Sequence, residues 1–172
     1  GCEIVQFHPL PATELFLKPA DMLCGKGISA LPFDADRGCW IGAKGESLTA
    51  TEVLAYASRA QAGHPWILQR RLRNGAAWTR FSPDALCTVR VVTGRPAPGA
   101  PVEIVGGFMR FPQIHAVVDN RSAGGFSADY DPETGRLDPA RDPARPWIAF
   151  NCRPDTTAVI EAEMIPAWDL VR

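Results

Sequence analysis

Sixteen prolines and fifteen glycines are spread over 172 residues, and this punctuation limits the chain more than any other feature. Proline removes a backbone donor and glycine costs backbone entropy, so long helices are cut before they can propagate. Short strands joined by turns are what remains. Residues 14–19 read as a strand ended by Pro19, with residues 28–31 as its partner across a loop of small residues, and residues 37–43 are a third candidate. One amphipathic helix is expected, from about Thr49 to Gln61. Thr49-x-x-Glu52 is a capping box, Val53, Leu54, Ala57 and Ala60 form an apolar stripe, and Gly63 sits where a left-handed residue would stop the helix.

Further along, Trp66-Ile67-Leu68-Gln69 has a buried-strand pattern, and a polar stretch leads to a helical turn predicted at Ser82-Pro83-Asp84. Residues 87–93 form a clear strand. A hairpin connection over residues 96–101 returns the chain as a strand over 102–111. Gly106-Gly107 in its middle predicts a bulge or a close backbone approach. Residues 129–135 have turn chemistry, with Pro132 after Asp131 and Gly135 to close. Short strands are expected at 147–150 and 158–163. The fold class is α+β, mostly antiparallel, with few helices.

Composition narrows the function. Apolar residues make up 46% and charged residues 22%, which is globular, and the length suits one domain or two small subdomains. A net charge of -1 argues against a dedicated nucleic-acid binder, because phosphate neutralisation needs surplus Lys and Arg on one face. Every apolar run falls far short of the roughly 20 residues that a membrane span requires. The start, Gly1-Cys2-Glu3, has neither a basic nor an apolar leader region. Five scattered cysteines (Cys2, Cys24, Cys39, Cys87, Cys152) without a CxxC fit reduced thiols and a cytoplasmic setting. His8, His64 and His115 lie apart from one another, so zinc spacing is missing, as are the G-x-S-x-G, G-x-G-x-x-G and Walker A motifs.

One local constellation carries chemical meaning. Lys18 ends a strand, and the loop Asp21-Met22-Leu23-Cys24-Gly25-Lys26-Gly27 leads into the next. Such a hairpin can lay backbone N–H groups and a cation over a polyphosphate, with the strand lysine beneath. The alternative is a surface hairpin with two solvated lysines.

The order of four motifs adds to this. F-L-K-P with G-K-G-I, V-D-N-x-x-A-G-G at 118–125, D-x-E-T-G at 131–135 and I-P-x-W-D at 165–169 together resemble the ATP-grasp superfamily. The closest likeness is to the sugar-transfer-associated ATP-grasp family, over about residues 15–169. The resemblance implies two small α+β subdomains holding ATP: residues 1–65 as the nucleotide-flap (B) subdomain and 66–172 as the first part of the C-terminal subdomain. It implies ATP-dependent ligation through an acyl phosphate, with small carboxylate and amine substrates. A non-catalytic binding or interaction domain of the same fold is the alternative.

Residue by residue, the resemblance puts Lys18 on the α- and β-phosphates and Gly25, Lys26 and Gly27 in the flap above them. The hinge would lie at 66–72, with backbone groups near Gln69 and Leu72 meeting the adenine edge. Arg90 would be catalytic, turned toward phosphate or carboxylate, although strand periodicity leaves it equally able to face water. Arg110 has a similar claim. Asn120, Gly124 and Gly125 would close over the acceptor substrate, while Asp119 has at least as good a claim to a structural place in the turn. Met22 and Cys24 stand where the family usually has flap glycines, and Arg70 stands where an acidic residue often follows the hinge position. The family's metal-binding Asp and Glu-x-Asn lie on strands beyond the I-P-x-W-D run, so Mg²⁺ is expected with the complete protein and the isolated chain is expected to be inactive.

Overall fold

In the computed structural model the described residues are 9–22, 25–60, 63–120, 123–142, 144–154 and 156–170. Cys2, His8, Leu23, Cys24 and Gln61, noted above, lie outside them. Among the described residues no helix is long and apolar enough to cross a membrane. The fold is α+β with mostly antiparallel strands, and the chain divides into two compact units, Gly1–Leu72 and Arg73–Arg172.

The first unit contains β1 (Leu15–Pro19), β2 (Ser29–Leu31), β3 (Phe33–Asp34), β4 (Cys39–Ile41), β5 (Ser47–Leu48), α1 (Ala50–Ala60) and β6 (Trp66–Arg70). Its two three-stranded sheets have the orders β2-β1-β6 and β3-β4-β5. The single strand expected at 37–43 is thus the middle of a meander. Its turns are fastened by side chains: Asp34 Oδ1 accepts the N–H groups of Asp36 and Arg37 (3.1 and 3.0 Å), and Glu46 Oε2 accepts that of Lys44 (2.9 Å). Leu15, Leu31, Trp40, Leu48 and Val53 form the core, which helix α1 reaches by packing on β4, β5 and β6. The capping box is formed, with Glu52 Oε2 accepting the Thr49 N–H and hydroxyl (2.8 and 2.7 Å). Those bonds hold the Glu52 carboxyl below its ordinary value of 4.5, so the cap is complete above that pH and is lost as pH falls through the lowered value.

Strand β6 corrects one expectation. It is not a buried strand: it closes one edge of its sheet, pairing with β1 alone, and Ile67 is 42% exposed. By its contacts the first unit runs through Leu72. The ladder to β1 and a mostly buried ion pair between Arg71 Nη1 and Glu14 Oε1 (2.5 Å) keep this segment with the first sheet.

The second unit contains α2 (Ala76–Thr79), β7 (Thr88–Gly94), β8 (Glu103–Phe111), β9 (Phe126–Asp129), β10 (Ala140–Arg141), β11 (Ala149–Phe150) and a 3₁₀ turn at Trp168–Leu170. Its sheet is antiparallel in the order β11-β10-β9-β8-β7. The helical turn lies at 76–79 and not at 82–84. Asn74 holds the later segment open: its Nδ2 donates to the Ser82 and Ala85 carbonyls (both 2.8 Å) and its Oδ1 accepts the Cys87 N–H (3.0 Å). Residues 158–163 are not a strand either. They make one isolated bridge, Val159 with Cys152, and turn at Ala162, whose φ is 65°. The D-x-E-T-G turn is clasped by the last motif, with Trp168 packed on Gly135 and edge-on to Tyr130 (4.7 Å).

The longest ladder, β7 with β8, skips Val105, where Val92 pairs with Gly106 and Thr93 with Ile104. Beside this bulge the Tyr130 hydroxyl donates to the Arg90 and Gly106 carbonyls (3.2 and 3.3 Å). Gly107 makes room for it. A Cβ there would sit 1.9 Å from the Arg90 carbonyl oxygen and 2.5 Å from the Tyr130 hydroxyl, at a φ of 155°. Gly107→Ala is therefore expected to cost about 3 kcal/mol or more, and Tyr130→Phe about 1 kcal/mol, in urea unfolding. Burial raises the Tyr130 hydroxyl above its ordinary 10.0. Its contribution should hold below pH 10 and fade as pH rises toward the raised value, a slope that Tyr130→Phe should flatten.

Candidate functional site

In the first unit the residues predicted to meet phosphate fall at a hairpin. Strand β1 delivers Lys18, half-buried, and the connection to β2 delivers an exposed Lys26 between Gly25 and Gly27, whose φ values are 70° and 73°. Left-handed backbone on both sides of the lysine suits glycine alone, which is why the turn carries G-K-G. Neither lysine has an ion pair among the described residues. The stem of the loop is fixed: the Ala20 N–H donates to the Pro65 carbonyl (2.7 Å), and His64 Nδ1 lies 3.1 Å from an Asp21 carboxylate oxygen.

The hinge residues follow from strand register. The Ala20 N–H meets the Pro65 carbonyl and the Arg71 N–H meets the Glu14 carbonyl (2.9 Å), so 65, 67, 69 and 71 turn their backbone groups toward β1. Gln69, opposite Phe16, is one of these, and its backbone groups belong to the ladder. Arg70 presents its carbonyl to the outer edge, and by the same alternation Leu72 presents its N–H there.

In the second unit a groove of about 760 Å³ is lined by Thr88, Arg90, Val92, Arg110, Asp119 and Asn120, among others. Register explains their meeting. Thr88 pairs with Arg110 and Arg90 with Phe108, so these four share one face of the sheet, while Val89 pairs with Met109 toward the core. Arg90 is exposed, with its guanidinium 5.7 Å from the Phe108 ring centre. Asp119 lies beside both strands: Thr88 Oγ1 donates to its Oδ2, and Arg110 Nε stands 3.7 Å from that oxygen. Arg110 Nη1 donates to Asn120 Oδ1 at 3.4 Å. The sequence reading did not join Thr88 to Asp119, and no local signal could have done so across that separation.

The glycine-rich loop is packed against its own sheet. Gly125 is buried, a Cβ on it would come within 2.8 Å of the Asp119 carbonyl, and its N–H donates to the Asn120 carbonyl at 3.2 Å. Gly124 is exposed beside the Gln113 side chain. Arg121 and Ser122 lie outside the described residues. Beneath the loop Arg153 is 1% exposed. Its Nη1 donates to the Phe81 carbonyl and its Nη2 to the Pro112 carbonyl (2.8 Å), and its guanidinium lies over Phe126. An arginine followed by proline and aspartate carries no sequence signal for burial. No group of three or more His, Cys, Asp or Glu side chains placed to hold a metal ion is found among the described residues.

A family model described as sugar-transfer associated ATP-grasp matches residues 5–172. No curated protein and no solved structure matches.

Cys87 packs against the core of the second unit, and burial pushes its thiol up to about 12, with Arg153 opposing the shift and Asp119 adding to it. At pH 8 roughly one part in ten thousand of such a thiol is thiolate, the reactive form. Peptide mapping after alkylation at pH 8 should therefore find the exposed Cys152 modified rapidly and Cys87 only upon unfolding. Equal rates would contradict this placement.

Proposed function

The chain belongs to the sugar-transfer associated ATP-grasp family, and on that premise we propose that it is the nucleotide-binding portion of an ATP-dependent ligase working through an acyl phosphate. Residues 1–65 serve as the nucleotide-flap subdomain, and 66–172 as the first part of the C-terminal subdomain. The observation that carries the reading is the flap itself, where two lysines with no ion pair among the described residues stand on and above a hairpin bounded by positive-φ glycines. Cations left unneutralised beside exposed backbone suit a polyphosphate.

Each residue then has a task. Lys18 holds phosphate charge from the strand, and Gly25, Lys26 and Gly27 cover the phosphates from the flap. At the hinge the adenine edge needs one acceptor and one donor on the same side of a strand. Register favours the Arg70 carbonyl and the Leu72 N–H, so the role first given to Gln69 moves to its neighbour. Arg90 orients an oxyanion, phosphate or carboxylate, in the groove of the second unit. Asn120 and Gly124 border the acceptor side, whereas the Gly125 N–H is already used within its own loop. In phosphoryl transfer, positioning and charge neutralisation supply most of the catalysis.

No residue of this chain is proposed as an Mg²⁺ ligand: the ion is expected with the complete protein, held by carboxylate oxygens together with substrate phosphates and water. No step of the proposal passes through a metal.

Calorimetry with ATP tests the reading. Lys18 is half-buried on a strand and gives up little rotamer freedom on contact, whereas the exposed Lys26 must be ordered. Lys18→Ala is expected to weaken binding by about 1–2 kcal/mol and Lys26→Ala by less. A larger loss for Lys26→Ala would reverse the ranking, and no saturable heat from the unaltered chain would overturn nucleotide binding.

A further inference from the structure

Asn74 stands in the one Asn-Gly pair of the chain; Asn120 is followed by Arg121 and Asn151 by Cys152. That pair is chemically labile. The backbone nitrogen of the following residue can attack the asparagine amide carbon, and glycine alone has no side chain to crowd the approach. In the folded chain the amide is engaged elsewhere. Its Nδ2 spends both donors on the Ser82 and Ala85 carbonyls (both 2.8 Å), and its Oδ1 accepts the Cys87 N–H (3.0 Å). The glycine beside it meets no packing demand. Gly75 is exposed, its φ is -65°, and a Cβ there would meet nothing within 4 Å. A backbone that would take other residues thus carries glycine next to the side chain that fastens the 82–87 segment.

We propose that Asn74 is a deamidation site which the fold holds closed, and whose conversion unfastens residues 82–87. The Gly75 nitrogen bonds to Asn74 Cγ, the Cγ–Nδ2 bond breaks, and Nδ2 leaves as ammonia, taking the Gly75 proton. Water then opens the cyclic imide at either carbonyl and leaves aspartate or isoaspartate. Nδ2 cannot depart while two carbonyls hold it, so all three hydrogen bonds must open first. The product cannot restore them. An ionised carboxylate only accepts, and it would face the Ser82 and Ala85 carbonyl oxygens where a donor stood. The Cys87 N–H is held by the same side chain, and Thr88 beyond it opens β7, so the change reaches the start of that strand. All of these residues belong to the second unit, and the site does not rest on nucleotide binding.

The test ages the full 172-residue chain in mildly alkaline buffer, folded and in concentrated guanidinium chloride, and follows the peptide carrying Asn74 by mass spectrometry. In denaturant Asn74 is expected to convert ahead of Asn120 and Asn151, giving two isomeric products. The folded chain should convert about a hundredfold more slowly, for three hydrogen bonds that must open. Gly75→Ala, which fits without a clash, should slow conversion severalfold in denaturant. Asn74→Asp reproduces one product; where it retains cooperative unfolding, its Cys87 should be alkylated about tenfold faster or more than in the unaltered chain. Equal rates in folded and unfolded chains, or a rate unmoved by Gly75→Ala, would overturn the site whether or not Asn74→Asp folds. A folded Asn74→Asp chain with Cys87 as protected as before would overturn the unfastening.

Discussion

The second unit is organised by the close approach of two strands at Gly107. With no Cβ in the way, the Tyr130 hydroxyl reaches the Arg90 and Gly106 carbonyls, and the bulge at Val105 is pinned beside it. Everything on the groove side depends on that pin. A side chain's face alternates with every residue along a strand, so a one-residue slip would send Arg110 toward the core and Met109 into the groove. The same tyrosine touches Trp168, so the clasp between the D-x-E-T-G turn and the final motif is tied to the register of β7 and β8. The D-x-E-T-G turn and the final motif, far apart in the chain, thereby become parts of one packing arrangement with the β7–β8 ladder.

The first unit uses another economy. Its strands are two to five residues long, too short to bury much by themselves, and its stability comes from Leu15, Leu31, Trp40, Leu48 and Val53 meeting beneath one capped helix. That compactness leaves the hairpin between β1 and β2 with a fixed stem and an exposed lysine above it. Rigid support under an exposed cation lowers the ordering cost of holding a phosphate.

Much of this was legible in the sequence because it was local. The capping box, the β1–β2 pair, the glycine approach in β8 and the Asp131 turn each declare themselves within a few residues, since the physics that fixes them acts over that distance. The meander at 33–48 was not legible, because its turns are made by Asp34 and Glu46 side chains within a stretch that also reads as one strand. Strand β6 misled because apolar composition does not say whether a strand has one neighbour or two. The groove was half legible: Arg90 and Asn120 were named from motif order, but the standing of Arg110 comes from Asp119 and Thr88, brought beside it by tertiary pairing. Arg153 was invisible, since its burial is decided by two carbonyls distant in sequence.

The alternation along β6 also bears on how such a chain can drift. Substitutions at Ile67, Gln69 and Arg70 are cheap, because those side chains are exposed. Insertions are different. Adding or losing one residue between Pro65 and Leu72 would exchange inward and outward amides, turning the Arg70 carbonyl back into the sheet while leaving the local composition almost unchanged. Related chains should therefore vary in letters at the exposed positions of this stretch yet keep its length fixed, or change it in steps of two: a constraint written in spacing and invisible to any comparison of residue types.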